Sequence, residues 1–337
     1  MKHAITDTTA AEILDGIPDF RPLAPWWGGD LQTLRNFIAA RRGFRPEIAA
    51  ERLYLEMHDG SGDRLAGALT RAPGTGSPLV VLIHGLSGCE GSMNMIHAAR
   101  YHASQGRSVL RLNLRGAGPS RSTCQGDYHA GCSRDLADAL TSLAALDRDL
   151  VANGILLSGV SLGGSLVIKF LAEYGGDFDI RAAATISTPL DLAEACRSVM
   201  RRRNAPYHHW LLSRMKANCL RDNMADAAQA TLDKVRSLFE FDDGFLAPQF
   251  GYPGAEAYYE DAKALNYLGR VRVPTLLIHA RNDPWIPVAP YLSHDWSDNP
   301  ALSVLLPRSG GHVGFHDGHE DQAAWHDRCA ARFFDAH

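Results

Sequence analysis

Residues 154–173 read GILLSGVSLGGSLVIKFLAE, and this stretch decides the fold. Its first half, with Ile155, Leu156 and Leu157 in a short apolar run, suits a buried strand. From Gly164 onward the residues suit a helix. Between them lies Gly159-Val160-Ser161-Leu162-Gly163, the pattern G-x-S-x-G. There the chain must turn sharply from strand into helix, and a glycine two residues to either side of the serine relieves the crowding. The serine is left in a strained backbone with its Oγ exposed, the position of a nucleophile. The bland alternative, a glycine-rich turn with an idle serine, gives no reason for a strand and a helix to flank it.

Outward from this elbow, strands and helices alternate. Glu51–Arg71 reads as two strands around Asp59-Gly60 and Gly62-Asp63, which supply the turn. The run LVVLIHG after Pro78 is a buried strand, Ser92–Gln105 a helix, Ser108–Leu114 a strand and Gly131–Asp149 a helix. Beyond the elbow, Ile180–Ser187, Val273–Ala280 and Leu302–Leu306 are further strands. This order predicts an α/β fold: a mostly parallel, doubly wound sheet with an antiparallel leading hairpin. Residues 1–50, with Trp26, Trp27 and several prolines, show no alternation and are expected to wrap the outside. Residues 190–265 fall between two strands, helical at first and then rich in aromatics. They are expected to form a cap over residues 51–189 and 266–337, the core.

A serine hydroxyl needs a general base, and the base needs a third group to orient it. Where a G-x-S-x-G elbow between strand and helix carries the nucleophile, the acid and then the histidine follow it in the chain. Asp283 follows the strand TLLIHA and His312 follows the strand SVLLP, within Gly310-Gly311-His312-Val313-Gly314. Both loops leave the same rim as Ser161. Ser161, Asp283 and His312 are therefore the candidate catalytic residues, with Asp191 as a competing acid and His316 and His319 as competing bases. The oxyanion hole is expected from the backbone N–H groups of Leu162 and Leu86, the second in the loop His84-Gly85-Leu86-Ser87-Gly88. His84 is read as holding that loop.

Composition narrows the partners. The 337 residues carry 38 acidic and 34 basic side chains, a net charge of −4, which gives no support to nucleic-acid binding. Arg201, Arg202 and Arg203 form the densest basic spot, read as a solvated helix face. The first twenty residues, MKHAITDTTAAEILDGIPDF, lack the features of a signal peptide, and no apolar run has the length of a membrane span. Six cysteines show neither CxxC pairing nor zinc-ligand spacing, so reduced thiols and a cytoplasmic location are expected. No histidine pair has metal-ligand spacing, so no metal is expected. Oligomeric state is left open.

With these motifs in place the chain resembles the YheT-like branch of the α/β-hydrolases, also called AB-hydrolase family 4. The likeness runs from about Phe20 to Phe315. It includes LQTL (Leu31–Leu34), HGLSG, Asn113-Leu114-Arg115-Gly116, Tyr128-His129-Ala130-Gly131, GVSLGGSLVIKFL, FEFDDGFLAPQFGYPGAEAYY, ARNDPWIP and GGHVGF. Asp30 stands where the family commonly has histidine and Ser165 where asparagine is usual. The resemblance implies Ser161, Asp283 and His312 as the triad and hydrolysis of carboxylic esters with aliphatic acyl chains, without a cofactor. Acyl transfer to an alcohol or thiol is the alternative it carries; a ligand receptor on the same fold is a remote one. The partner expected is a small-molecule acyl ester.

Overall fold

The computed structural model describes residues 19–42, 47–74, 76–220, 226–318 and 323–337. The expectation for the N-terminal segment therefore lies outside the described residues over 1–18 and 43–46. His319 lies outside them as well.

Helix α1 (Gly29–Arg41) precedes the hairpin of β1 (Glu51–Glu56) and β2 (Arg64–Thr70). The hairpin is antiparallel, with Glu51 opposite Leu69 and Glu56 opposite Arg64. Its turn residues Gly60 and Gly62 have φ of 81° and 74°, a region open to glycine at little cost. There follow β3 (Leu79–Ile83), α2 (Met93–Ser104), β4 (Val109–Leu112), α3 (Ser133–Leu146), β5 (Ile155–Val160), α4 (Leu162–Tyr174) and β6 (Ile180–Ile186). Helices α5 (Leu192–Val199), α6 (Ala205–Cys219), α7 (Asp226–Lys234) and α8 (Ala255–Asp261) then lead to β7 (Thr275–Ile278), β8 (Leu302–Leu305) and α9 (Trp325–Asp335).

The eight strands form one sheet in the order β1-β2-β4-β3-β5-β6-β7-β8. Strand β2 is antiparallel to β1 and β4, and every pairing from β4 to β8 is parallel. The central strands are buried on both faces, which explains why they read as continuous apolar runs. In β3, Leu79, Val81 and Ile83 join the cluster under α3 and α4. Val80 and Leu82 join the opposite cluster, with Met95 of α2 and Phe333 of α9. Successive strand residues point to opposite faces, so one five-residue run serves both layers. Among the described residues, no helix is long and apolar enough to cross a membrane, and no disulfide joins the cysteines.

Candidate active site

At the end of β5 the backbone of Ser161 takes φ 52° and ψ −125°, a conformation that L residues rarely adopt. Its N–H is held by Ile186 O at 2.8 Å, and Gly164 N returns to Ser161 O at 2.8 Å. The flanking glycines are needed for close approach. A methyl on Gly159 would meet Gly163 O at 2.5 Å, and one on Gly163 would meet His84 O at 2.5 Å. The turn therefore closes only without side chains there, and it lifts Oγ out of the sheet.

The loops after β7 and β8 bring the other two candidates to that oxygen. His312 Nε2 lies 3.0 Å from Ser161 Oγ, and His312 Nδ1 lies 2.8 Å from Asp283 Oδ2. Asp283 Oδ1 accepts the N–H groups of Trp285 at 2.8 Å and Ile286 at 3.0 Å. Burial alone would push the Asp283 carboxyl up. The charge and hydrogen bond of His312, with help from His279 and the Ile286 N–H, outweigh it and hold the group below its ordinary value. An ionised Asp283 fixes the proton of His312 on Nδ1, which leaves Nε2 free to accept from the serine. The Trp285 ring stacks on His312 at 4.6 Å between centroids and 23° between planes, limiting the imidazole's rotation.

The competing residues are engaged elsewhere. Asp191 caps α5 by accepting from Glu194 N at 2.9 Å, and its other oxygen pairs with Lys263 at 2.9 Å. His316 is buried, its backbone N–H given to Gln32 Oε1 at 2.7 Å and its Nδ1 3.3 Å from Arg35. His84 donates from Nδ1 to Gly85 O at 2.8 Å and accepts Leu114 N–H on Nε2 at 3.1 Å. Burial lowers its pKa to about 4, so it remains neutral and ties the loop to the strand ends. In the Arg201–Arg203 triplet all three residues are exposed, and Arg203 reaches Asp30 at 2.8 Å.

Leu86 and Leu162 both line the cavity that opens at Ser161. Among the described residues, neither main-chain N–H has a protein acceptor. The loop carrying Leu86 runs tight against the elbow, since a methyl on Gly85 would come within 3.0 Å of Ser161 Cβ.

Helix α1 belongs to this site, which the periodicity of residues 1–50 does not reveal. Thr33 Oγ accepts the His312 N–H at 2.8 Å and donates to Gly29 O at 2.7 Å. Gln32 is wholly buried, donating to Trp26 O and His316 O and accepting from His316 N. The LQTL motif is the signal that marks this contact. Val313, beside His312, is held at φ 54° with its N–H on Ser187 Oγ at 3.0 Å. A β-branched residue at positive φ is strained, and here the strain aims the histidine loop.

The cavity measures about 310 Å³. Its walls on the side of the inserted helices are mostly aliphatic: Leu192, Val199, Leu211, Met215, Leu238 and Leu246. Of the aromatics that crowd the second half of the insertion, Tyr258 and Tyr259 reach the cavity. Phe241 and Phe245 pack on each other in the core, Phe250 and Tyr252 pack on His129, and Phe239 is exposed. Aromatic richness therefore marks how the inserted segment packs more than what it encloses. Elsewhere in the lining, Asn36 Oδ1, Ser87 Oγ and Trp285 Nε1 are buried without a protein partner among the described residues.

The family model for the alpha/beta hydrolase fold matches residues 78–319. YheT of Escherichia coli (strain K12), provisionally named an esterase, is 32% identical over 322 residues, covering 92% of this chain and 91% of that one. Human Phospholipase ABHD3 is 25% identical over 77% of this chain and 64% of its own length. The Medium-chain fatty acid ethyl ester synthase/esterase 2 of Saccharomyces cerevisiae is 29% identical over 76% of this chain and 62% of its own length. Among solved structures, the Pyrococcus furiosus esterase Pf2001 superposes with a TM-score of 0.57 at 15% identity, covering 95% of this chain and 98% of that one. The chain belongs to the α/β-hydrolase family, in its YheT-like branch.

Proposed function

We propose that this protein hydrolyses carboxylic esters of aliphatic acyl chains through an acyl-enzyme on Ser161. The observation that carries the reading is the hydrogen-bond chain from Ser161 Oγ through His312 to Asp283, opening on a largely aliphatic cavity. In this reading His312 takes the Ser161 proton as Oγ adds to the ester carbonyl. The Leu86 and Leu162 N–H groups stabilise the resulting oxyanion. His312 then protonates the departing alcohol, and water repeats the sequence to free the acid. The acyl chain lies along the aliphatic walls, the alcohol beside Asn36, Ser87 and Trp285, and the inserted helices act as the cap. Thiols outside disulfides fit a cytoplasmic location.

A panel of p-nitrophenyl esters of graded chain length, run beside a fluorophosphonate label, tests the proposal. Turnover with labelling confined to Ser161 is expected. Labelling elsewhere, or no turnover of any ester, sinks it. The yeast relative's name couples ester synthesis with hydrolysis, so acyl transfer is the second reading. Added ethanol that diverts product from free acid to ethyl ester would favour it.

A further inference from the structure

Among the described residues, Asp242 is the only acidic side chain lining the cavity. It opens a π-helical turn, Asp242–Leu246, that follows the short helix Leu238–Phe241. Such turns insert an extra residue into a helix and re-aim the side chains after it. Here the turn carries both Asp242 and Leu246 to the cavity, on the side of the inserted helices. Ser161 and His312 reach the same cavity from the sheet's rim.

The surroundings of Asp242 are uneven. Its Oδ2 accepts the Tyr259 hydroxyl at 2.6 Å. Its Oδ1 has no protein partner among the described residues. Cys196, Tyr258 and Tyr259 lie close enough to interact with it electrostatically, and Leu238 and Leu246, four residues to either side in the chain, line the same cavity. Burial lifts the carboxyl's pKa to about 7, the Tyr259 hydrogen bond opposing the rise.

A saturated acyl tail sliding past this group would strip it of water and return nothing. An unpaired buried carboxyl oxygen is costly, so a plain chain would bind worse than its apolar area suggests. A tail with a hydroxyl at the right carbon removes the conflict, because that hydroxyl donates to Oδ1 and can accept in turn when Asp242 is protonated. An ammonium fits less well: it brings three donors, and beyond Asp242 itself the nearby hydroxyls of Tyr258 and Tyr259 are already engaged, one by the Ala130 N–H and the other by Asp242.

Resting on the esterase reading above, we propose that the cavity is built for an acyl chain bearing a hydroxyl group, which Asp242 and Tyr259 hold on the cap side. They act as specificity-determining residues, outside the chemistry at Ser161.

The test compares p-nitrophenyl octanoate with the positional series of p-nitrophenyl hydroxyoctanoates. At least one hydroxy isomer should exceed octanoate in kcat/KM by about tenfold or more, the scale of one hydrogen bond to a charged or strongly polar group. Asp242→Leu should abolish or invert that ratio, and Tyr259→Phe should reduce it. Thermal melts check that each variant folds, and Tyr259→Phe carries the test if Asp242→Leu does not. Octanoate matching or beating every isomer, or a ratio unmoved by the variants that fold, overturns the proposal. If no ester is turned over, the esterase reading fails separately. Calorimetric titration with octanoic and hydroxyoctanoic acids then decides: tighter binding of a hydroxy acid supports the proposal, and equal binding overturns it.

Discussion

The hydroxyl of Thr33 accepts the main-chain N–H of His312 at 2.8 Å, joining the start of α1 to a loop 279 residues later. The same hydroxyl donates to Gly29 O, so it is fixed from both sides. Thr33→Val keeps the shape and removes the acceptor, leaving a buried N–H unsatisfied at a cost of roughly 1–3 kcal/mol. Much of that cost should appear as a looser histidine. We expect kcat to fall about tenfold or more with KM little changed, and fluorophosphonate labelling to slow without moving from Ser161. A variant with wild-type kcat would mean that α1 plays no part in holding His312.

Ser161→Ala should remove both ester turnover and labelling, with a loss on the order of 10⁶ in kcat if this serine is the nucleophile. Ser161→Gly tests the strain separately. Its backbone at φ 52° and ψ −125° suits glycine far better than serine. The glycine variant should be inactive yet more stable than Ser161→Ala by roughly 1 kcal/mol in denaturant melts. Equal stabilities would show that the elbow stores no strain at this residue.

Asp283→Asn should preserve the fold and cut kcat by about 10⁴, because an amide does not stabilise the imidazolium and favours the wrong tautomer. Asp191→Asn should weaken the cap of α5 and its pairing with Lys263, with little effect on kcat. The paired measurement is kcat/KM and melting temperature for both variants. A larger catalytic loss at Asp191 would reassign the acid.

How much of this was legible depends on what the buried faces are made of. The elbow, the hairpin and the core strands announce themselves because their buried positions are apolar or glycine, and hydrophobic period is what a sequence displays. Helix α1 does not, because the side chain it buries completely is a polar one. Gln32 satisfies itself through Trp26 O, His316 O and His316 N, and counting apolar residues passes over it. Helix α9 is not among the expected elements either, although Trp325, Cys329 and Phe333 recur at four-residue spacing and are all buried, because the elements read from the sequence stop at the strand Leu302–Leu306. The aromatics of 239–259 are a different case. Their number was plain, but which ones face the cavity depends on helix register and on the π turn at Asp242, which no local period encodes.

Asp242 gives a pH prediction with a definite sign. Its folded pKa is raised to about 7 from 3.8, chiefly by burial. The folded state therefore holds a proton that the unfolded chain has released. Stability from this group is fully present below about pH 4 and is lost as pH rises toward 7, by as much as ~4 kcal/mol in all. Asp242→Asn carries no such proton. Its stability relative to wild type should climb between about pH 4 and 7 and level off above. Urea melts at three pH values in that window provide the measurement, and parallel curves would show that the carboxyl titrates normally.

Chain-length preference should follow the aliphatic walls. Leu211 and Met215 of α6 and Leu192 of α5 line the cavity and are buried or nearly so. Each methylene of an acyl chain that gains a place against such walls is worth roughly 0.8 kcal/mol, about a fourfold preference per carbon until space ends. Met215→Ala should enlarge the cavity and move the optimum ester to a longer chain, while Leu211→Trp should shorten it. Phe241→Leu, a change in a ring that packs against Phe245 away from the cavity, should alter stability and leave the optimum where it is. The measurement is kcat/KM across the p-nitrophenyl series for all three variants, with melts to confirm folding. If Phe241→Leu moves the optimum and the two α6 variants do not, the acyl chain lies along a different wall from the one assigned to it.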